Sequence, residues 1–253
     1  MCILFIAINQ HKDYPVIIAA NRDEFHIRPT KSAHFWPGED KILAGVDLQA
    51  GGTWLGLNGL GNFSALTNIR NLKNLNAAAK SRGELVTKAL QSSTSLDFNW
   101  LKSNSANYNP FNLVYSDNKQ LFCFNSESKS QTLLNDGFHA ICNGALDDIW
   151  PKMAKGEYLL EQLISEQKPI NPEHIFAIMK DQSQAPDELL PETGVGMDWE
   201  RLLSSIFIQS NDYGTRSTTV ILQHHSGSID FFEQSYTADG SIFNKHQFAL
   251  AKS

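Results

Sequence analysis

The sequence has few cysteines, and none lie in the spacings that form disulfide frameworks or zinc sites. Its 253 residues contain three cysteines, Cys2, Cys123 and Cys142. An odd number without a close pair argues against a set of structural disulfides. The chain contains no Cys-x-x-Cys and no His-Glu-x-x-His, which are the spacings of common zinc sites. We therefore predict a protein without a bound metal and without a cofactor.

The chain also lacks a basic cluster and a long hydrophobic run. It has 21 lysines and arginines against 27 acidic residues, which gives a formal net charge of -6. A protein that binds nucleic acid non-specifically needs a basic face. The apolar start, Met1–Asn9, has no basic segment, and polar residues follow it at once, so it is neither a signal peptide nor a membrane span. We expect a cytoplasmic protein with no nucleic-acid partner and no stable membrane insertion.

Strands dominate both ends of the sequence. Two apolar runs flank the polar segment Gln10–Asp13, which is the pattern of a β-hairpin. Strands are predicted at Cys2–Asn9, Tyr14–Asn21, Thr53–Asn58, Asn62–Asn68, Asn112–Tyr115, Gln120–Phe124, Phe138–Asn143, Ser204–Gln209, Ser217–Gln223 and Ile229–Glu233. No repeat or linker interrupts the chain. We therefore predict one α+β domain that spans residues 1–253.

Helices are expected between these strands. Ser81–Glu84 has the pattern of a capping box ahead of apolar residues, and Asn171 before Pro172 is a typical helix start. The helices are predicted at the segment after Ser81–Glu84 and at Leu96–Leu101, Lys152–Ile164 and Pro172–Met179. The segment Asp181–Trp199 is rich in Pro, Asp, Glu and Gly, and it is predicted to be a long loop.

Cys2 is the first candidate for chemistry. Removal of Met1 would leave Cys2 with both a thiol and a free α-amine, whose pKa is about 8. Such an amine can act as the base for the thiol of its own residue, which is the chemistry of an N-terminal nucleophile. The alternative is that Cys2 is only a small apolar residue on the first strand.

Four polar residues, Asn21-Arg22-Asp23-Glu24, directly follow a strand with a buried pattern. Polar groups at a strand end are typical of a site held by a rigid scaffold. Arg22 can hold the charge of a thiolate or of a substrate carboxylate, and Asp23 or Glu24 can orient an α-ammonium group. A charged turn after a strand is the alternative interpretation.

Two asparagines and an arginine lie at the ends of other predicted strands. The side-chain N–H groups of Asn68 and Asn143 are suitable donors to an oxyanion in acyl transfer. Asparagine is also common in turns, so a capping role is the alternative for both. Arg216 lies where a β-branched strand begins, and it is either a surface residue or part of a site. The glycines around Trp54 permit a tight turn that could shape a pocket wall.

Together these motifs resemble the NRDE family, also called the transport-and-Golgi-organisation family. They keep their order and span nearly the whole chain: Met1-Cys2, Asn21-Arg22-Asp23-Glu24-Phe25, Gly51-Gly52-Thr53-Trp54-Leu55-Gly56, Leu66-Thr67-Asn68-Ile69-Arg70, Pro110-Phe111-Asn112-Leu113, Asn143-Gly144-Ala145-Leu146-Asp147 with Trp150-Pro151-Lys152, and Tyr213-Gly214-Thr215-Arg216-Ser217. The chain has Ile69 where tyrosine is common in the family. The resemblance implies the fold of N-terminal-nucleophile hydrolases, a four-layer αββα sandwich of two antiparallel sheets.

The resemblance also implies an activity and a set of site residues. The family is similar to the hydrolase branch that contains bile-salt hydrolases and penicillin acylases, so cleavage of a small linear or cyclic amide is expected. The implied catalytic residues are Cys2, Arg22, Asp23, Asn68, Asn143 and Arg216. The predicted substrate-binding residues are Asn21, Glu24, Trp54 and Arg70. It stays open whether Asp23 or its neighbour Glu24 orients the amine of Cys2.

A different class of function is the alternative. Eukaryotic members of the family are associated with haem trafficking and with lipid or membrane homeostasis. The same fold could therefore serve as a binding or carrier protein with haem as a ligand. On that hypothesis Cys2 would be a ligand or a redox thiol. A degenerate hydrolase without activity is the third hypothesis.

Overall fold

The computed structural model describes residues 2–71, 75–91 and 96–251. Their contacts divide the described residues into two compact units, one from residues 2–27 with 135–251 and one within residues 28–134. Each unit contains one antiparallel sheet and its own helices. That the chain forms a single domain stays a prediction.

Thirteen strands and five α-helices lie in the described residues. The strands are β1 (Cys2–Ile8), β2 (Val16–Phe25), β3 (Thr30–Phe35), β4 (Leu43–Asp47), β5 (Leu55–Leu57), β6 (Phe63–Asn68), β7 (Phe111–Asp117), β8 (Gln120–Asn125), β9 (Ser130–Leu133), β10 (Gly137–Ile141), β11 (Tyr213–Gln223), β12 (Ile229–Tyr236) and β13 (Ile242–Leu250). The helices are α1 (Gly83–Leu90), α2 (Phe98–Asn104), α3 (Pro151–Ser165), α4 (Pro172–Met179) and α5 (Met197–Leu202).

The first unit is built on a six-stranded sheet with the order β10-β1-β2-β11-β12-β13. The predicted hairpin is confirmed, since β1 and β2 pair antiparallel on either side of a polar turn. Successive side chains of a strand point to opposite faces. Ile3 and Phe5 of β1 pack in one core cluster with Met153 of α3 and Ile175 of α4. Helices α3 and α4 therefore cover one face of this sheet, and Cys2 and Leu4 belong to the other face.

The starts of α3 and α4 follow from local sequence. Each helix has proline in its first turn, where the missing N–H is not needed. The Asn171 side chain accepts a hydrogen bond from the Glu173 N–H, which confirms the predicted start of α4. At Gly156 of α3 an added Cβ would overlap the ring of Phe5. Glycine at this position therefore allows α3 to approach β1 closely.

The second unit is a seven-stranded sheet in which the strands follow their sequence order from β3 to β9. Helices α1 and α2 cover it through a core cluster that joins Leu85 and Leu101 to Phe111 and Phe124. Most neighbouring strands are joined by short connections, whereas β6 and β7 are joined by the longer segment that contains α1 and α2. The predicted strands of this unit are confirmed with small changes at their ends.

Three local predictions are wrong. Ser204–Gln209 is not a strand but a series of turns ending in a bridge at Gln209, and its apolar residues 206–208 are all buried rather than alternating. Ser81–Glu84 is not a capping box, because Glu84 accepts a hydrogen bond from the Tyr108 hydroxyl and no side chain caps α1. The predicted loop Asp181–Trp199 contains a short 3-10 turn and the start of α5.

Candidate active site

Cys2 begins a row of paired residues that crosses three neighbouring strands. It lies directly opposite Arg22 in the pairing of β1 with β2, and Arg22 lies opposite Ser217 in the pairing of β2 with β11. Residues that pair directly across antiparallel strands have side chains on the same face of the sheet. Cys2, Arg22 and Ser217 therefore share the face that α3 and α4 do not cover.

A bulge in β11 adds Arg216 beside this row. Thr215 pairs with Asp23 and Ser217 pairs with Arg22, so Arg216 is the extra residue of the bulge. Bulges re-aim side chains and are frequent near active sites. The guanidinium group of Arg216 donates from Nη1 to the carbonyls of Phe25 (2.9 Å) and His26 (3.2 Å).

The two arginines are close enough to affect each other. Burial lowers the pKa of Arg216, the positive charge of Arg22 lowers it further, and Glu24 opposes the shift. Glu24 is only partly buried, and its Oε1 accepts a hydrogen bond from the Phe25 N–H (2.9 Å). Arg22 and Glu24 at this end of β2 thus lie close enough to Arg216 to act on its charge.

Asp23 lies on the other face of the strand and is buried, with 1% of its surface exposed. Its Oδ1 accepts a hydrogen bond from the Thr215 hydroxyl (2.7 Å). Burial raises the pKa of the Asp23 carboxyl, whereas the positive charges of Lys152 and Arg22 oppose that rise. Of the two neighbouring carboxylates, Asp23 is the buried one, and this arrangement favours Asp23 over Glu24 as the group that orients an amine.

Lys152 supplies a buried positive charge from the first turn of α3. It is 5% exposed, and its Nζ donates to the carbonyl of Leu203 (2.8 Å). Sequence reasoning did not select Lys152, Thr215 or Ser217 as site residues. For Lys152 a signal existed, because it lies four residues before Gly156 on the apolar stripe of a predicted helix.

The thiol of Cys2 holds its proton more firmly than an ordinary cysteine. Burial raises its pKa and the charge of Asp23 raises it further, while Arg22 and a hydrogen bond from the Asp23 backbone lower it. The thiolate is the reactive form of cysteine. A nucleophilic role for Cys2 therefore requires a base next to the thiol.

Asn143 lies at the same end of the sheet as Cys2. Leu4 pairs with Ile141, and Cys2 and Asn143 each lie two residues beyond that pair. Asn143 is 2% exposed, and its Oδ1 accepts a hydrogen bond from the Cys142 thiol (3.3 Å). This contact favours the amide orientation in which the oxygen faces Cys142 and the N–H groups point elsewhere.

The side chain of Asn21 makes hydrogen bonds that hold the fold together. Its Nδ2 donates to the carbonyls of Met179 (2.9 Å) and Ile206 (2.8 Å), and its Oδ1 accepts from the Thr218 hydroxyl (2.6 Å). Both N–H groups thus hold the end of α4 and the following segment against the sheet. The predicted substrate-binding role of Asn21 receives no support from these contacts, and Asn21 has no part in the mechanism below.

The remaining predicted site residues belong to the second unit. Asn68 ends β6 opposite Phe111 of β7, and Arg70 follows two residues later. An added Cβ at Gly45 would overlap the ring of Trp54, so glycine is needed there for the observed position of this ring. The roles of Asn68, Arg70 and Trp54 in the site of Cys2 stay predictions.

Within residues 2–71, 75–91 and 96–251 no group of three or more His, Cys, Asp or Glu side chains could hold a metal ion. No helix in the same part of the chain combines the length and apolarity that a membrane crossing needs. Haem binding, the alternative implied by the resemblance, stays a prediction. A Soret band that shifts with wild-type protein but not with Cys2→Ala protein would support it.

Comparisons with known proteins agree with the sequence motifs. Residues 1–238 match the family described as Transport and Golgi organisation 2. The chain is 32% identical over 260 residues to the Transport and Golgi organization protein 2 homologs of Bos taurus and Homo sapiens, with 93% of each chain covered in both comparisons.

A solved structure shares the fold. It is the C2A mutant of the conjugated bile acid hydrolase from Clostridium perfringens, with a TM-score of 0.52 and 9% sequence identity, and the match covers 100% of this chain and 98% of that one. At such low identity the likeness concerns the fold alone. The predicted fold class, α+β with two antiparallel sheets as in N-terminal-nucleophile hydrolases, is confirmed.

Proposed function

We propose that this chain, which belongs to the Transport and Golgi organisation 2 family, is an amidohydrolase with Cys2 as its N-terminal nucleophile. The substrate class is a small, non-peptide amide, linear or cyclic. The observation that carries the proposal is the pairing of Cys2 with Arg22 beside the buried Asp23. The shared fold with a conjugated bile acid hydrolase gives further support.

Activation of Cys2 begins with the removal of Met1. The freed α-amine then accepts the thiol proton, directly or through a water molecule. This base is needed because burial holds the thiol pKa above its ordinary value. Asp23 orients the resulting ammonium group, and the guanidinium of Arg22 stabilises the thiolate.

The thiolate attacks the amide carbonyl carbon and forms a tetrahedral intermediate. The side-chain N–H groups of Asn143 donate to its oxyanion, and such a donor lowers the barrier by about 3–4 kcal/mol. Collapse of the intermediate breaks the C–N bond, and the ammonium of Cys2 gives its proton to the leaving amine. Water then attacks the thioester, which releases the carboxylic acid and restores the thiol.

Turnover of an amide library by matched cysteine variants tests this proposal. We expect Cys2→Ala to abolish hydrolysis of any amide that the wild type cleaves, and wild-type protein to accumulate a thioester visible by intact mass. Cys123→Ala is the control, because Cys123 is a buried thiol of the second unit and should keep turnover. Full activity of Cys2→Ala on the same substrate would contradict the mechanism.

A further inference from the structure

We infer that Thr215 is a positioning residue, whose hydroxyl group holds the Asp23 carboxylate beside the backbone nitrogen of Cys2. The inference rests on the proposed function, because it takes that nitrogen as the α-amine freed when Met1 is removed. It gives β11 a part in activating the nucleophile of β1. Three features of the structure support the assignment.

The first feature is the direction of the hydrogen bonds at the Thr215 hydroxyl. Thr215 is 2% exposed, and its Oγ1 accepts a hydrogen bond from the Ile208 N–H (2.9 Å). A backbone N–H can only donate, and a hydroxyl group has a single proton to give. That proton goes to Asp23 Oδ1 at 2.7 Å. The Thr215 N–H donates to the Ile208 carbonyl (2.8 Å), so the backbone of Thr215 is held as well.

The second feature is the burial of the carboxylate that Thr215 contacts. Asp23 is 1% exposed, and burial raises its pKa. The positive charges of Lys152 and Arg22 oppose that rise in pKa, and so does the hydrogen bond from Thr215. A hydrogen bond donated to the charged form of a carboxyl group stabilises that form. Thr215 therefore favours the charged carboxylate, which is the form that orients an ammonium group.

The third feature is the place of Asp23 relative to the start of β1. Cys2 pairs with Arg22 and Ile3 pairs with Asn21, so Asp23 lies one residue beyond Cys2 in the direction of the chain start. The backbone nitrogen of Cys2 lies in the same direction. Asp23 is close enough for its charge to add to the effect of burial on the Cys2 thiol, since both raise the pKa of that thiol.

Thr218 provides a matched control on the same strand and the same face. It is buried, its Oγ1 donates to Asn21 Oδ1 (2.6 Å), and it accepts from the Tyr236 hydroxyl (3.0 Å). Thr218 thus bonds to a β2 side chain as Thr215 does, but to an amide that does not titrate. Thr215→Val and Thr218→Val each remove one buried hydroxyl, and only the first removes a donor from Asp23. Thr215→Ser keeps that donor.

Carbon NMR titration of the Asp23 carboxyl group tests the hydrogen bond without a substrate, and Asp23→Asn assigns the signal. We expect the titration to move to higher pH by about one unit in Thr215→Val, as loss of a charged hydrogen bond would give. It should stay in place in Thr215→Ser and Thr218→Val. Thr215→Ala, which leaves room for water at the Ile208 N–H, is the second variant if valine prevents folding. An unchanged titration, or an equal change in Thr218→Val, would overturn the inference.

Nitrogen NMR titration of the Cys2 α-amine tests whether the held carboxylate faces that group. Protein that begins at Cys2 is released from a cleavable fusion, so the result does not depend on removal of Met1 in the cell. Asp23→Asn should lower the pKa of the amine, because a nearby carboxylate favours the ammonium form. Thr215→Val should give part of the same fall. A fall in Asp23→Asn alone, or in neither variant, would overturn the inference.

Turnover separates this inference from the proposed function. Both titrations as expected, without hydrolysis of any amide by wild type, would contradict the hydrolase and support Thr215 as the residue that positions Asp23. In an active enzyme Thr215→Val should lower kcat about tenfold, and Thr215→Ser should restore most of it. Hydrolysis by wild type that Thr215→Val leaves at full kcat, with an unchanged pH profile, would support the hydrolase and overturn the inference.

Discussion

Cys2 and Arg22 lie directly opposite each other in β1 and β2, on the sheet face that α3 and α4 leave uncovered. Cross-strand partners keep their separation as long as the ladder of hydrogen bonds is intact. The sheet therefore fixes the backbone positions of both residues, and the charge of Arg22 acts on the thiol. Arg22 is buried and Cys2 is partly buried, which strengthens their electrostatic interaction relative to water.

Processing of the first residue is the simplest property to measure. Cys2 is small enough to permit removal of Met1, so protein made in a bacterial cytoplasm should lack one methionine. The intact mass of the purified protein checks this. Quantitative retention of Met1 would leave Cys2 without its own base and would favour the carrier or inactive hypotheses.

Asp23→Asn should change how stability depends on pH. Burial raises the pKa of Asp23 above its ordinary value of 3.8. The folded state then binds this proton more tightly than the unfolded chain, so the contribution of Asp23 to stability is greatest at pH values below about 4. It declines as the pH rises through the native pKa. The free energy of unfolding of wild type minus Asp23→Asn should therefore fall over that window in urea denaturation.

Asp187→Asn is the control for this experiment, because the hydrogen bond from Arg201 lowers the pKa of Asp187. For this exposed residue the free energy of unfolding of wild type minus Asp187→Asn should instead increase as the pH rises toward 4. Parallel pH profiles for wild type and Asp23→Asn would show that the carboxyl of Asp23 titrates as it does in the unfolded chain.

The sequence predicts the hairpin and its polar end because these features are local. Strand β2 is apolar until Asn21, and the polar residues follow directly, so Cys2, Arg22 and Asp23 are found without tertiary information. Thr215 and Ser217 depend on the pairing of β11 with β2 across 192 residues of chain, as in the hydrogen bond from Thr215 to Asp23. Local patterns contain no signal for that pairing.

The sequence does not predict β13, and it wrongly predicts a strand at Ser204–Gln209, for related reasons. β13 is an outer strand of its sheet, and two of its half-buried residues, Asn244 and His246, are polar, so its sequence lacks the apolar alternation that indicates a half-buried strand. Ser204–Gln209 has buried apolar residues in a turn, where the Phe207 N–H bonds to the Asp181 carbonyl. This segment is buried without regular strand pairing. It therefore has the apolar composition of a strand but not the backbone structure of one.

Cys142 should influence kcat because it orients the side-chain amide of Asn143. Its thiol donates to Asn143 Oδ1 at 3.3 Å, which fixes the orientation of the amide. Cys142→Ser keeps a donor and should keep kcat, whereas Cys142→Ala should lower kcat several-fold with little change in KM. Kinetics on an amide that the wild type cleaves test this. Equal loss in both variants would mean that only the packing of the thiol matters.

Lys152→Met should be destabilising, because the buried Nζ of Lys152 donates to the Leu203 carbonyl and acts electrostatically on Asp23. Leaving a buried acceptor without its donor costs about 1–3 kcal/mol, measurable by urea denaturation at pH 7. Lys155→Met is the matched control on the same helix, since its ion pair with Asp181 is exposed at the lysine and should contribute less than about 1 kcal/mol. If Lys152 stabilises the charged form of Asp23, the double variant Lys152→Met with Asp23→Asn should lose less stability than the sum of the losses in the two single variants.

Gly156→Ala should destabilise the protein although alanine favours helices. Replacing glycine by alanine inside a helix usually stabilises the protein by about 1 kcal/mol. At this position, however, the new Cβ would overlap the Phe5 ring. Overpacking a core costs about 1–3 kcal/mol, so we expect a net loss in urea denaturation that Phe5→Leu partly restores in the double variant. Glu161→Ala, at an exposed position of α3, should change stability by less than about 0.5 kcal/mol. A gain in stability from Gly156→Ala would mean that α3 and β1 are less closely packed than the structure has them.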